Sequence, residues 1–387
     1  MTKKKIFLTF LIFLWFATVL SPFCTSDMTQ EEKIRLGVWI TVFTPEKVLS
    51  SKENVDTLLS TCKNSGIDDI YIQIYRSGKP YYNTNIESSE DTLTHLIKEA
   101  NKNDIKVYGW INLLSIAQNK EADILKKFGE NVLTVDQYGR TSLQKGQKDD
   151  LDKYYIRENQ LFLEPGNSHV QDYLLSVVKE IIEKYPHLSG LHLDYIRYPA
   201  VVPFVPGSRF TSHGISYGYG ESNVAKFKNA TGIDIKTMDY SREGYKLWDD
   251  WRRSKVSSLL QNISENAREL SPGIIISCTI VPSIERTYLT TLQDWTEWLD
   301  KGYADYVVAM NYTDDTKLMK LHSYSLMAGE FGRKVHMGVG AYLLKTKPGE
   351  LKKQLEILKK LSPPGIVIFS YDDIAGNKDL QKTLSDI

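Results

Sequence analysis

Cysteine is scarce in this 387-residue chain: there are three, Cys24, Cys62 and Cys278, and nothing in their spacing suggests a metal site or a disulfide framework. Cys62 falls in a predicted helix and Cys278 in a predicted strand, which reads as two buried free thiols. No His/Glu pair has the spacing of metal ligands, so no metal and no cofactor are expected. An excess of charge of one sign is also missing, with 48 basic against 48 acidic residues. There is no basic surplus of the kind that nucleic-acid binding needs, and no block of like charge long enough to be an interaction tail. Aromatics are not lacking: 23 tyrosines and 7 tryptophans suit the apolar faces of sugars, although most aromatics in any protein are core.

Residues 1–24 differ from everything after them. Lys3, Lys4 and Lys5 precede an apolar run from Ile6 to Leu20, and Ser21-Pro22-Phe23-Cys24 breaks it. That is the order of a secretory signal, and the run is short for a membrane span. The expected location is therefore extracytoplasmic. Cys24 is a candidate for lipidation, followed by a polar tether over 25–33, and a lipid there would be the chain's only membrane attachment. Ser21, Pro22 and Phe23 match poorly the small residues expected before a lipidated cysteine, so ordinary cleavage nearby stays open. Removing residues 1–24 takes three lysines and no acid, leaving 45 basic and 48 acidic groups. The remaining residues, 34–387, read as a single domain.

Apolar, β-branched runs recur at Leu36–Phe43, Ile70–Tyr75, Ile105–Leu113, Leu188–Tyr195, Ile274–Ile280, Ala304–Tyr312, Val335–Tyr342 and Ile366–Tyr371. Helical patterns lie between them, at Val55–Cys62, Leu93–Ala100, His169–Ile182, Trp248–Leu270, Leu292–Leu299, Leu318–Gly329 and Leu351–Leu361. Strands alternating with helices, with no hairpin signal between them, mean βαβ units and a parallel sheet. Eight such strands predict an α/β fold, a closed (β/α)8 TIM barrel. The third-to-fourth and fourth-to-fifth strand intervals are long, so large insertions, Ser115–Glu164 and Ala200–Tyr245, leave the carboxyl ends of strands 3 and 4. Those are the ends where barrel enzymes carry their sites. Within the second, the Gly- and Tyr-rich stretch Gly214–Gly220 predicts a mobile aromatic lid, with a surface loop as the plainer account.

The segment Gly190-Leu191-His192-Leu193-Asp194-Tyr195-Ile196-Arg197-Tyr198-Pro199 is a short strand that delivers a carboxylate, a guanidinium and two phenols to one place and stops at proline. Its plainer account is a buried Asp satisfied by a neighbouring Arg. His192 alternates with Asp194, so both face the barrel interior, and a hydrogen-bonded core histidine is expected there. The other strand ends place Thr44, Tyr75 and Arg76, Trp110 and Asn112, Asn311 and Tyr312, Tyr342, and Tyr371 with Asp372 and Asp373 at the mouth. Aromatic platforms with amides and a few carboxylates point to a carbohydrate ligand. The expected sugar contacts are Trp39, Tyr75, Arg76, Trp110, Asn112, Arg197, Tyr198, Asn311, Tyr312 and Tyr371.

Gly190 to Pro199, with Leu163-Glu164-Pro165-Gly166, Trp251-Arg252-Arg253, Gln293-Asp294-Trp295 and Met310-Asn311-Tyr312-Thr313, resembles the bacterial glycoside-hydrolase-like TIM-barrel family of envelope proteins. The likeness runs from about Arg35 to Ile374. It implies a barrel glycosidase, with relatives acting on peptidoglycan glycan strands. The fourth strand also resembles the chitinase strand: Asp194 matches its last aspartate, His192 replaces the one before, and Ile196 stands where that family has its acid. An isoleucine cannot donate a proton, so the resemblance implies that the acid is elsewhere. Met310 and Tyr312 resemble the chitinase pattern that contacts an N-acetyl group, which keeps acetamido sugars in view.

Ordinary glycosidases use two carboxyl groups, about 5 Å apart for retention and roughly 6.5–9.5 Å for inversion. No carboxylate follows strand 7, where the sequence is Gly340-Ala341-Tyr342-Leu343-Leu344. Asp194 is therefore expected to be one catalytic group, with a partner from Asp314 or Asp315, or from Asp372 or Asp373. Glu164 is an outside candidate. Helix capping is the plainer role for Asp314-Asp315 and a turn for Asp372-Asp373; Arg252 and Arg253 are read as helix arginines facing solvent or pairing with carboxylates. A carbohydrate-binding barrel without activity is the competing function.

Overall fold

A computed structural model describes residues 33–82, 91–143, 155–203, 214–238 and 242–387. The predicted signal, Cys24 and the tether up to residue 32 lie outside the described residues. Eight strands form the core: β1 (Arg35–Ile40), β2 (Asp69–Arg76), β3 (Lys106–Asn112), β4 (Gly190–Asp194), β5 (Ile275–Ile280), β6 (Tyr306–Met310), β7 (Val335–Gly340) and β8 (Gly365–Phe369). Each pairs in parallel with the next, and β8 pairs in parallel with β1, so the sheet closes into the expected barrel. Helices α1 (Lys52–Asn64), α2 (Thr92–Asn101), α3 (Ser168–Lys184), α4 (Arg242–Leu270), α5 (Trp295–Asp300), α6 (Thr316–Met327), α7 (Pro348–Leu361) and α8 (Lys378–Ser385) follow the strands in turn. Among the described residues no helix is long and apolar enough to cross a membrane.

The two-residue period of a strand sorts the side chains. Leu36, Val38 and Ile40 of β1 point outward into the large cluster shared with the helices, whereas Trp39 points inward with Tyr71, Tyr108, Trp110, Val308 and Val367. The interior is thus packed with aromatic rings, and small residues must make room for them. A Cβ on Gly190 would stand 2.4 Å from the Ile275 carbonyl oxygen and 2.7 Å from the Tyr108 ring, which is why β4 opens on glycine.

The two insertions are joined to each other. Ser115–Ala117 pairs antiparallel with Leu161–Phe162 in the first, and Tyr155–Arg157 of the first pairs antiparallel with Val201–Pro203 of the second. Gly214–Gly220 is not an exposed flap. Ile215 and Tyr217 are buried, the Gly218 and Tyr219 amides donate to the Val135 carbonyl at 3.1 and 3.0 Å, and Arg252 donates to the Tyr217 carbonyl. Gly218 lets the Arg252 side chain lie directly against the backbone: at φ 109°, it would drive a Cβ into that side chain at 2.5 Å. A small hairpin was also not expected from sequence. β2 turns through Ser77 and Gly78, both at positive φ, into an antiparallel pairing of Tyr75 and Arg76 with Pro80 and Lys79.

Candidate functional site

The carboxyl ends of the strands surround a cavity of about 230 Å³. Its walls are Trp39 of β1 and Thr41 just past it, Gln73 and Arg76 from β2, Trp110 and Asn112 from β3, Asp194, Tyr195 and Arg197 from β4 and its exit, Thr279 from β5, Met310 of β6 and Tyr312 just past it, and Phe369 from β8. Asp194 is the only carboxylate among these lining residues.

Asp194 is the last residue of β4 and is buried. Its Oδ1 accepts from Thr279 Oγ1 at 2.6 Å and from the Tyr195 amide at 2.7 Å, and its Oδ2 accepts from Trp110 Nε1 at 3.2 Å. Burial pushes its pKa above the usual carboxylate range, and the donors and the nearby Arg197 only partly offset that. Such a group can hold a proton at higher pH than a surface aspartate, as a general acid requires.

The chain leaves β4 through Tyr195 at φ 53°, a left-handed residue that breaks the strand alternation. Tyr195 and Arg197 therefore both line the cavity, while Ile196 is fully buried and outside it. The isoleucine at the place of a chitinase acid is thus a packing residue: beyond Asp194 the extended register on which that comparison rests no longer holds. Arg197 is fixed by Glu158, whose carboxylate takes bonds from Nη1 at 2.5 Å and Nη2 at 3.1 Å and a third from the Ala200 amide at 2.6 Å. The guanidinium also lies 4.8 Å from the Tyr195 ring centre. On the neighbouring strands β2 and β3, Gln73 Nε2 donates to Asn112 Oδ1 at 3.2 Å, so two buried amides present a polar edge beside Trp110 and Asp194.

The floor is held by an ordered chain. Trp39 Nε1 can only donate, and it lies 2.9 Å from His192 Nε2, so that nitrogen accepts. Nδ1 then carries the proton toward Ser277 Oγ at 2.9 Å, and Ser277 donates to the Leu191 carbonyl. His192 is therefore the hydrogen-bonded core histidine expected from alternation. Burial and then the nearby His336 push its pKa down to about 3, and burial and then Arg35 do the same for His336. Both lie below the unfolded value of about 6.5, so the unfolded chain takes up these protons first as pH falls. Their contribution to stability is intact above about pH 6.5 and is lost progressively toward pH 3, by up to about 1.4 kcal/mol per pH unit for each histidine. Asp194 and Glu164, raised by burial, act with the opposite sign. The test is therefore a difference: urea unfolding of His336→Gln at pH 7, 5.5 and 4.5 is expected to show a shallower acid loss than the unaltered protein, and equal slopes would contradict it.

Of the residues expected at the site, the structure brings together Trp39, Arg76, Trp110, Asn112, Asp194, Arg197 and Tyr312. Others are elsewhere. Tyr75 is buried outward against α3, 3.4 Å from the Tyr173 hydroxyl, because the β2–β3 pairing shifts register between Gln73 and Tyr75. Tyr198 donates to Glu164 Oε1 at 2.6 Å beneath the insertions. Asn311 donates to the Met319 carbonyl at 2.9 Å and Ser323 Oγ at 3.1 Å, tying β6 to α6. Tyr371 is buried at the start of the short helix Tyr371–Ile374.

The proposed partners of Asp194 need the same correction. Asp314 is exposed and pairs with Lys347 at 2.8 Å, which pulls its pKa down. Asp315 caps α6 through the Lys317 and Leu318 amides. Asp372 accepts from Thr44 Oγ1 at 2.5 Å, and Asp373 closes a capping box with Ser370 and pairs with Lys345. Glu164 is buried under the insertions, accepting from Tyr198, from Thr134 Oγ1 at 2.8 Å and from the Gly166 amide at 3.3 Å. None of these carboxylates lines the cavity. Among the described residues no group of three His, Cys, Asp or Glu is placed to hold a metal.

Gln73, Thr279 and Phe369 were missed from sequence. Each occupies an inward position of its strand, and Thr279 follows Ser277 by the two-residue period. Glu158 carried no signal, since it reaches the site only through Arg197.

A closed parallel barrel that gathers a buried carboxylate, amides and aromatic faces at the carboxyl ends of its strands places a sugar-sized polar and aromatic cavity where barrel enzymes carry their sites. The chain belongs to the glycosyl hydrolase-like 10 family, whose model matches residues 33–325. It is similar to the glycosyl hydrolase DigH of Escherichia coli strain K12, 23% identical over 57% of this chain and 46% of the relative, so it spans about half the length of that protein. It is also similar to the glycosyl hydrolase YngK of Bacillus subtilis, 22% identical over 97% of this chain and 75% of the relative. In fold it is similar to the catalytic domain of a β-amylase from Paenibacillus polymyxa, with a TM-score of 0.57, 15% identity, and coverage of 92% of this chain and 98% of that one.

Proposed function

We propose that the protein is an extracytoplasmic glycoside hydrolase that cleaves a polysaccharide containing N-acetylated sugars, such as peptidoglycan glycan strands. The observation that carries this reading is the single carboxylate, Asp194, in a cavity whose other walls are aromatic and amide groups. One acid suffices when the substrate supplies the second group. Asp194 gives its proton to the glycosidic oxygen as the C1–O bond breaks, and the acetamido oxygen of the same sugar bonds to C1. Water then opens that ring and returns a proton to Asp194. Trp110, Tyr312 and Phe369 offer faces for the sugar ring, and Gln73 and Asn112 offer donors and acceptors for its hydroxyls. The N-terminal order of lysines, apolar run and break supports export.

The purified protein is expected to release new reducing ends from peptide-free peptidoglycan strands and from chitin oligomers, and none from cellulose oligomers. Co-sedimentation with the polymer without release would instead identify a binding barrel. Equal cleavage of the cellulose oligomers contradicts the acetamido role. Cell fractionation checks export, and recovery in the cytosol would refute it.

A further inference from the structure

Two guanidinium groups line the mouth cavity, and they are not equivalent. Arg197 is already engaged: it holds Glu158 through both carboxylate oxygens and donates to the Tyr198 carbonyl. Arg76, at the end of β2, makes one long bond, 3.4 Å from Nη1 to Gln73 Oε1, and its guanidinium carbon lies 4.6 Å from the Phe43 ring centre. Among the described residues no carboxylate pairs with it. A guanidinium carries five N–H donors in a planar fork, and Gln73 engages one. Phe43 supports the plane of that fork and gives it no acceptor; the ring is 63% exposed, so the pair stands at the open edge of the cavity.

We infer that Arg76 receives the carboxylate of an acidic sugar and thereby selects acidic glycans over neutral ones. A carboxylate matches the fork with two parallel charge-assisted bonds, whereas a sugar hydroxyl takes one and leaves the charge uncompensated. When a sugar fills the cavity it displaces water from Arg76, and a neutral sugar would leave a desolvated cation without a partner. Stacking on Phe43 holds the guanidinium in place beforehand, which lowers the cost of ordering it on binding. The carboxylate belongs either to a hexuronic ring or to an ether-linked lactyl group. The inference rests on the glycosidase reading of the same cavity.

The test uses full-length protein on peptide-free peptidoglycan strands, which carry lactyl carboxylates, on a hexuronate-containing acetamido glycan, and on both after chemical reduction of their carboxyl groups. The quantity read is the ratio of kcat/KM on the acidic strand to that on its reduced form. This ratio is expected to be on the order of 10–100 for the unaltered protein, to fall to about 1 in Arg76→Gln, and to be partly retained in Arg76→Lys. Circular dichroism and melting check that the variants fold. Which acidic strand shows the larger ratio tells the lactyl source from the hexuronic one. The same ratio is measured for binding, by calorimetry with Asp194→Asn as the background. Should nothing be cleaved while the binding ratio holds and collapses in Arg76→Gln, the glycosidase reading fails and the carboxylate site stands. Equal handling of acidic and reduced strands, a ratio unchanged in Arg76→Gln, or preference for a sulfated glycan over both overturns the inference.

Discussion

Asp194→Asn is expected to lower kcat on a cleavable glycan by about 10³-fold or more, with a melting temperature only about 1–2 °C lower. The substitution is nearly isosteric. The asparagine carbonyl still accepts from the Tyr195 amide and Thr279 Oγ1, the two shortest bonds made by the carboxylate. What it loses is the bond from Trp110 Nε1, where an amide NH2 would now face another donor, at a cost of about 1 kcal/mol. It also loses the ability to give and take a proton, and no other carboxylate lining the cavity can substitute. Activity should therefore fall far more than stability. Collapse of both together would mean that Asp194 is a structural carboxylate; retention of activity would remove it from the chemistry.

Glu158→Ala is expected to destabilise the protein by about 2–4 kcal/mol and to raise KM several-fold. Arg197 is buried, with 10% of its side chain exposed against 18% for Glu158, so removing the carboxylate leaves a guanidinium with little water to replace it. The Ala200 amide loses its acceptor at the same time. Burial alone would pull the Arg197 pKa down, but the Glu158 carboxylate outweighs it and holds the pKa above the usual arginine value. Glu158→Gln, which keeps the packing and one acceptor, should fall between. Urea unfolding and steady-state kinetics measure both effects, and an unchanged unfolding free energy in Glu158→Ala would show that solvent already screens the pair.

The barrel was legible because its strands are buried on both faces and its helices on one. β1 and β8 are nearly continuous apolar runs, and the intervals between strands marked the two insertions. What could not be read was the set of local departures from regular geometry that re-aim side chains. The register shift after Gln73 turns Tyr75 away from the mouth and leaves Gln73 and Arg76 facing it. The left-handed Tyr195 brings Arg197 inward and sends Ile196 to the core. Asp314 and Asp372 sit just beyond strand ends, as catalytic groups do, yet their nearest partners are Lys347 and Thr44. Position along a strand was readable; the direction of a side chain after the strand ends was not. Glu158 shows the same limit, because its role comes from two insertions that pair with each other through Tyr155–Arg157 and Val201–Pro203.

A crystal of the Asp194→Asn protein soaked with an acetamido oligosaccharide tests most directly whether this cavity is where glycosidic bonds are cleaved. A sugar ring stacked on Trp110 or Tyr312, with a glycosidic oxygen about 3–3.5 Å from the side chain at position 194, is the predicted result. An oligosaccharide bound elsewhere while the cavity holds only solvent would contradict it.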